Sequence, residues 1–141
     1  MYLLDTSIVS DYLDKRRGNF PLIENQILSK PPELIFVSII TVEEIIQGAL
    51  NIIQKSKQKS SVVNGYRYFE ELFEALHRFQ ILPYTSEAEQ IFQSLSPKVK
   101  RVGTQDCRIA ATARSKGYIV VTANVSDFER IGIVSIEDWT Q

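Results

Sequence analysis

The succession of apolar runs and amphipathic stretches predicts an α/β fold, a three-layer α/β/α sandwich around a mainly parallel central sheet, with residues 1–141 forming a single domain. Three observations carry this. Tyr2-Leu3-Leu4, LIFVS (Leu34 to Ser38) and YIVVT (Tyr118 to Thr122) are short continuous apolar runs without the alternation of a half-exposed strand, so they read as strands buried on both faces. Stretches with helical spacing separate them, and strands alternating with helices argue for a parallel sheet covered on each side. The 141 residues, 44% of them apolar, suffice for one real core and leave little room for a second.

The elements follow in order. After Asp5, Ile8, Val9, Tyr12 and Leu13 make a helical stripe that runs into Lys15-Arg16-Arg17-Gly18, cations and a glycine being stop signals. Phe20 to Leu28 reads as a helix with Pro21 in its first turn, closed by Pro31-Pro32. Beyond LIFVS, Thr41 is the expected N-cap of a helix whose stripe is Val42, Ile45, Ile46, Ala49, Leu50 and Ile53. The polar, basic Gln54 to Ser61 reads as a solvated helix end or loop. Gly65 to Phe79 reads as a helix with Phe69, Leu72, Phe73 and Leu76 as core or dimer contacts. QILPY is a short strand. Ser86 is the expected cap of a helix through Leu95, with Glu89 completing a capping box. Pro97 to Gly103 reads as a loop, Thr104 as the start of the helix TQDCRIAATARSKG, NVSDFERIG as a turn and short helix, IVSI as a last strand and EDWT as a helical turn.

Composition excludes several chemistries. The net charge of −1 rules out a strongly basic nucleic-acid arm, so RNA or DNA contact has to come from local patches. With one cysteine, Cys107, and one histidine, His77, neither an internal disulfide nor a Cys/His zinc site can form. Any metal is held by oxygen, which points to Mg²⁺ or Mn²⁺. No acidic or nucleophilic partner accompanies His77 in its motif, and it is given no catalytic role. No apolar run approaches membrane-spanning length and no signal peptide precedes Asp5, so a cytoplasmic protein is expected.

Four acidic residues occupy one kind of place. Asp5 ends the first strand, Glu44 lies in the first turn of the helix after the second, Asp106 lies in the first turn of its helix, and Asp127 lies in the turn after YIVVT. In a parallel sheet the strand ends that feed helices share an edge, and ligands bind there. Gathered carboxylates repel and raise one another's pKa, a cost that a divalent cation removes. Such a cation also activates water and stabilises charge on a phosphodiester. Each residue has a plainer explanation: Asp5 as an N-cap, Thr41-x-x-Glu44 as a capping box, Asp127 as a turn cap. Glu44 is turned away from the Val42/Ile45/Ile46/Ala49 stripe at 100° per residue and Glu43 lies nearer it, so Glu43 is a rival. Asp106 shares a helix face with Ile109, Ala110 and Ala113, and a carboxylate on an inward face needs a reason. The common location makes the joint functional reading the better one.

These residues carry a family resemblance along nearly the whole chain. LLDTSIVSDYL, VSIITVEEIIQG and TQDCRIAATARSKGYIVVTANVSDF resemble, in order, the motifs of PIN domains, and specifically of the VapC-type toxin ribonucleases of bacterial toxin–antitoxin pairs. In that family the second acid stands four residues before a glycine, which selects Glu44, four before Gly48, over Glu43. The resemblance implies a divalent metal with Asp5 and Asp106 as ligands, Glu44 holding or deprotonating water, and Asp127 completing the pocket. Thr6, Thr122 and Asn124 would orient these groups. Some relatives have an acid where Asn124 stands, so the fourth pocket group is Asp127 or the Asn124 position, with one metal or two. It also implies endonucleolytic cleavage of RNA, a homodimer, and a cognate antitoxin that covers the acidic groove. Lys98, Lys100, Arg101 and Arg108, close in sequence to Asp106, are the best local candidates for the RNA backbone. Two rivals stand beside this reading. A haloacid-dehalogenase-type phosphatase needs a second Asp where Ser7 stands. A PIN-like module that only binds RNA or a partner would be marked by loss of an acid, and all four acids are present.

Overall fold

The computed structural model describes residues 1–141. Five strands, β1 (Tyr2–Leu4), β2 (Ile35–Ser38), β3 (Gln80–Leu82), β4 (Ile119–Val121) and β5 (Ile136–Glu137), form one sheet in the order β3-β2-β1-β4-β5. Every pairing is parallel, with Leu4 opposite Val37 on one side and Val121 on the other. Helices supply the crossovers: α1 (Thr6–Leu13) and α2 (Phe20–Leu28) between β1 and β2, α3 (Ile39–Lys55) and α4 (Lys59–Leu76) between β2 and β3, α5 (Ser86–Ser94), α6 (Pro97–Lys100) and α7 (Thr104–Lys116) between β3 and β4, and α8 (Val125–Ile131) before β5.

Two cores result, one on each face, because successive residues of a strand point to opposite sides. Leu3, Val120 and partly buried Phe36 meet Ala88 and Phe92 of α5, the alanines of α7 and Phe128 of α8. Leu4, Val37 and Val121 meet Ile8 and Val9 of α1, Ile23 of α2, Ile45 and Ala49 of α3, Leu72 and Leu76 of α4, and Trp139. Trp139 packs against Tyr2 at 5.3 Å between ring centroids, and the Lys30 ammonium sits 4.6 Å over its indole. EDWT is not one helical turn: Glu137 ends β5, and the turn that follows is tied by Asp138 accepting from the Thr140 N–H and hydroxyl.

Several expected boundaries move for local reasons. Ser38, not Thr41, caps α3: its backbone is extended and its hydroxyl accepts from the Thr41 N–H at 3.1 Å. Thr85, not Ser86, caps α5, and Glu89 accepts from the Tyr84 hydroxyl and the Gln93 amide instead of closing a capping box. The first helix ends at Leu13, and the Lys15-Arg16-Arg17-Gly18 stretch lies outside it. The Pro97–Gly103 loop holds one helical turn, α6, capped by Ser96. Helix α4 begins at Lys59, six residues before Gly65. That glycine is buried in mid-helix because a Cβ there would stand 3.1 Å from Cγ1 of Ile53, so it lets α4 close on α3. No helix is long and apolar enough to cross a membrane.

Helix α7 carries Asp106 at one end, and its residues Cys107, Ile109, Ala110, Ala111, Thr112 and Ala113 are all buried. A helix covered on nearly every side leaves no room for a larger side chain at its alanine positions. Ala110→Leu is expected to destabilise the fold by about 1–3 kcal/mol through overpacking, read as a lower urea midpoint at unchanged slope.

Candidate active site

The parallel register brings the carboxyl ends of β1, β2 and β4 to one edge, and Asp5, the residue after β1, stands in the middle of it. Asp5 is only 1% exposed. It does cap α1: Oδ1 accepts from the Ile8 N–H at 3.0 Å and from the Ser7 hydroxyl at 2.6 Å. Its other oxygen, Oδ2, turns across the sheet to the Thr122 hydroxyl at the end of β4. The capping and functional readings of Asp5 are thus compatible, one oxygen serving each.

Ser7 and Thr122 also accept, taking the backbone N–H groups of Ala123 and Asn124 at 3.2 and 2.8 Å. The turn between β4 and α8 is pinned through two hydroxyls to one buried carboxylate. Burial pushes the Asp5 carboxyl up, the three hydrogen bonds hold it down, and the Glu44 charge pushes it up again, for a net rise. Sequence reasoning singled out Thr122 and passed over Ser7; the T-S pair after Asp5 was the available signal. Asn124 acts through its backbone, and its side-chain amide makes no hydrogen bond.

Glu44 is partly buried and Glu43 exposed, the reverse of what the apolar stripe suggested. With the helix starting at Ile39, the buried positions are Ile40, Thr41, Ile45 and Ala49, which rotates Glu44 toward α1. Thr6 donates to Glu44 Oε1 at 2.6 Å and lies 3.0 Å from the Thr41 hydroxyl. The capping-box explanation of Glu44 fails, because Thr41 is inside the helix. Thr41, a fully buried hydroxyl on the same face, was not recognised as part of the site.

Asp106 occupies the third position of α7 and is half-buried, with no hydrogen-bond donor on its carboxylate. Its pKa is pushed up to about 6, first by burial and then by the charges of Asp5, Glu44 and Asp127. All four acids are therefore close enough to be felt at one carboxylate. Asp127 pairs with Arg130 one turn along α8. No three acidic, His or Cys side chains approach closely enough to enclose an ion by themselves. Beside the cluster, Thr6, Glu44 and Gly48 form one end of a groove of about 920 Å³ between α1, α3 and α4.

The four cations lie around α6 and α7. Lys98 and Arg101 are exposed and form no ion pair, whereas Lys100 and Arg108 lie 5.0 and 5.2 Å over the Phe92 ring. His77 is exposed, its ring 5.3 Å from that of Phe73 and tilted 36° to it.

A family model for the PIN domain matches residues 2–134. The chain belongs to the PIN-domain family. It is 34% identical to the ribonuclease VapC2 of Haemophilus influenzae, over 98% of this chain and 97% of that protein. It is 33% identical to the tRNA(fMet)-specific endonuclease VapC of Shigella flexneri, over 74% of each. Among solved structures it is similar to the DNA-bound VapBC of Salmonella typhimurium, with a TM-score of 0.71 and 28% identity over 98% of this chain and 97% of that one. The five-stranded parallel sheet and its flanking helices are thus the PIN fold, and the acidic edge is the part of it that the three sequence motifs build.

Two outcomes follow from the electrostatics. Asp106 ionises near its usual 3.8 when unfolded and at about 6 when folded, so its contribution to stability is full below about pH 4 and lost as pH rises through 6. Its place near a helix N-terminus favours the charge by only about 0.3–1 kcal/mol, and the raised pKa says that burial and repulsion win. Asp106→Asn should therefore raise the melting temperature at pH 7.5 in EDTA by about 2–4 °C and flatten the dependence between pH 4 and 7; a lower melting temperature would contradict the sign. Thr122→Val strips a donor from a buried carboxylate and should cost about 2 kcal/mol in urea unfolding at pH 7.

Proposed function

We propose that this chain is a Mg²⁺- or Mn²⁺-dependent endoribonuclease and the toxin of a toxin–antitoxin pair. The observation that carries the reading is the meeting of Asp5, Glu44, Asp106 and Asp127 at one sheet edge, where three of them raise the pKa of the fourth. A fold gathers such charge at a cost, and a divalent cation removes that cost. The relatives named as ribonucleases support RNA as the substrate.

The donor set fits a hard cation. Asp5 Oδ2 accepts a single hydrogen bond, the second oxygen of Glu44 accepts none, and neither oxygen of Asp106 accepts any. Asp5 and Asp106 would hold the ion. Mg²⁺ takes one or two carboxylates and keeps several waters, so a site without three enclosing side chains is of the right kind. When bound, the cation supplies a nucleophilic water at neutral pH and offsets charge on the phosphate.

The chain's own residues do the rest. Thr6 fixes one oxygen of Glu44, leaving the other to take the proton of the attacking water. Ser7, Thr122 and the Ile8 N–H aim Asp5 and favour its charged form against the rise that burial imposes. Asp127, held by Arg130, adds to the negative field. Lys98 and Arg101, exposed and unpaired, contact backbone phosphates at the rim, with Lys100 and Arg108 behind them, making binding salt-dependent. The VapBC relative, solved as a complex, supports a cognate antitoxin as the partner of this chain, acting on a homodimer in the cytoplasm.

Purified, antitoxin-free protein incubated with total cellular RNA and with tRNA(fMet) should yield discrete fragments in Mg²⁺ or Mn²⁺ and none in EDTA. Asp5→Asn, Glu44→Gln and Asp106→Asn should each slow cleavage by about 10²–10⁴-fold. RNA that stays intact with folded wild-type protein in both metals would leave the acidic edge as a binding surface, the reading of a catalytically silent PIN-like module.

A further inference from the structure

One row of side chains outside the four acids crosses the cleft between α3 and α7. Gln105, the neighbour of Asp106, donates its amide N–H to Oε1 of Glu43, the neighbour of Glu44, at 2.7 Å. The other end of that amide accepts from Nη1 of Arg108 at 3.1 Å. Arg108 is in turn seated over the Phe92 ring of α5. Both ends of the Gln105 amide are used, so its orientation is determined from behind by a cation and satisfied in front by a carboxylate.

Stability is a poor explanation for this row. Glu43 is exposed, and exposed polar pairs contribute little. Its position is more informative. The row joins residues 43 and 105, each one step from a carboxylate of the site, across helices that the gathered negative charges push apart. A donor aimed at a carboxylate makes a stronger and better-oriented bond than a neutral pair, and this one closes the rim where the repulsion would open it.

We propose that Arg108, Gln105 and Glu43 form a clasp that holds the first turns of α3 and α7 together and so sets the spacing of the Glu44 and Asp106 carboxylates around the divalent cation that Asp5 and Asp106 would hold. All three are positioning residues, since none needs to touch the metal or the RNA. The assignment rests on the metal-dependent reading above, and it gives Arg108 a role within the protein besides any phosphate contact.

The test uses Gln105→Met, which removes both bonds while keeping length, charge and helix propensity, and the exchanged pair Glu43→Gln with Gln105→Glu. In the exchanged pair the amide on α3 donates to the carboxylate on α7, Arg108 still donates to the side chain at position 105, and the net charge is that of the wild type. Mn²⁺ binding is measured by calorimetry on RNA-free protein, cleavage is measured against Mn²⁺ concentration, and melting temperatures check the fold. Gln105→Met should bind Mn²⁺ three- to tenfold more weakly and need correspondingly more Mn²⁺ for half-maximal cleavage, with the rate at saturating Mn²⁺ within twofold. The exchanged pair should recover most of the loss. Wild-type Mn²⁺ affinity in Gln105→Met, or an exchanged pair as weak as Gln105→Met, overturns the clasp and leaves the metal site standing. A wild-type protein that binds no Mn²⁺ overturns the metal reading and the clasp's role with it.

Discussion

A carboxylate removed from water at the end of a central strand must find donors or a cation, and Asp5 organises its surroundings around that need. Its two oxygens take a backbone N–H at the start of α1, the Ser7 hydroxyl beside it, and the Thr122 hydroxyl from the neighbouring strand. The same hydroxyls take the N–H groups that open the β4–α8 turn. One buried charge therefore ties together a strand end, a helix start and a turn from opposite ends of the chain. Losing any one of these donors would leave the carboxylate a partner short in a buried place, where an unmet polar group costs more than a hydrogen bond contributes.

The other three acids are placed by the same edge and are each partly buried. Glu44 is held by Thr6 from the neighbouring helix, Asp106 by nothing, and Asp127 by an arginine of its own helix. Asp5, with three donors, and Asp106, with none, are the two extremes of the cluster. Asp5 is preorganised by the fold, while Asp106 keeps open lone pairs and a pKa near 6. Repulsion among them is a local destabilisation that the two apolar cores on the faces of the sheet can bear. The row from Arg108 to Glu43 opposes that repulsion at the rim without adding a ligand.

Much of this was legible before any coordinates. The apolar runs marked three of the strands because a parallel strand is buried on both faces and needs no alternation. The regular appearance of an acid just past a strand or at the start of a helix pointed to one sheet edge, where the four acids do come together. The family resemblance, through its register against Gly48, selected Glu44, whereas the apolar stripe pointed to Glu43, because that stripe was reckoned from a helix start three residues too late. The Ser38 cap was missed for the same reason: a serine at the end of a β-branched run reads as strand. Gly65 looked like a helix start and is instead a contact with Ile53.

What the amino-acid sequence determined by itself was the order of elements, their burial, and the kind of residue at each strand end, since propensity, periodicity and capping act over a few neighbours. Which donor satisfies which carboxylate was decided only by the tertiary structure. Thr6 with Glu44, Thr122 with Asp5 and Gln105 with Glu43 are separated by 38, 117 and 62 residues. No local rule acts across such distances. Those partnerships exist because β1 lies between β2 and β4, and only the strand order puts their carboxyl ends side by side.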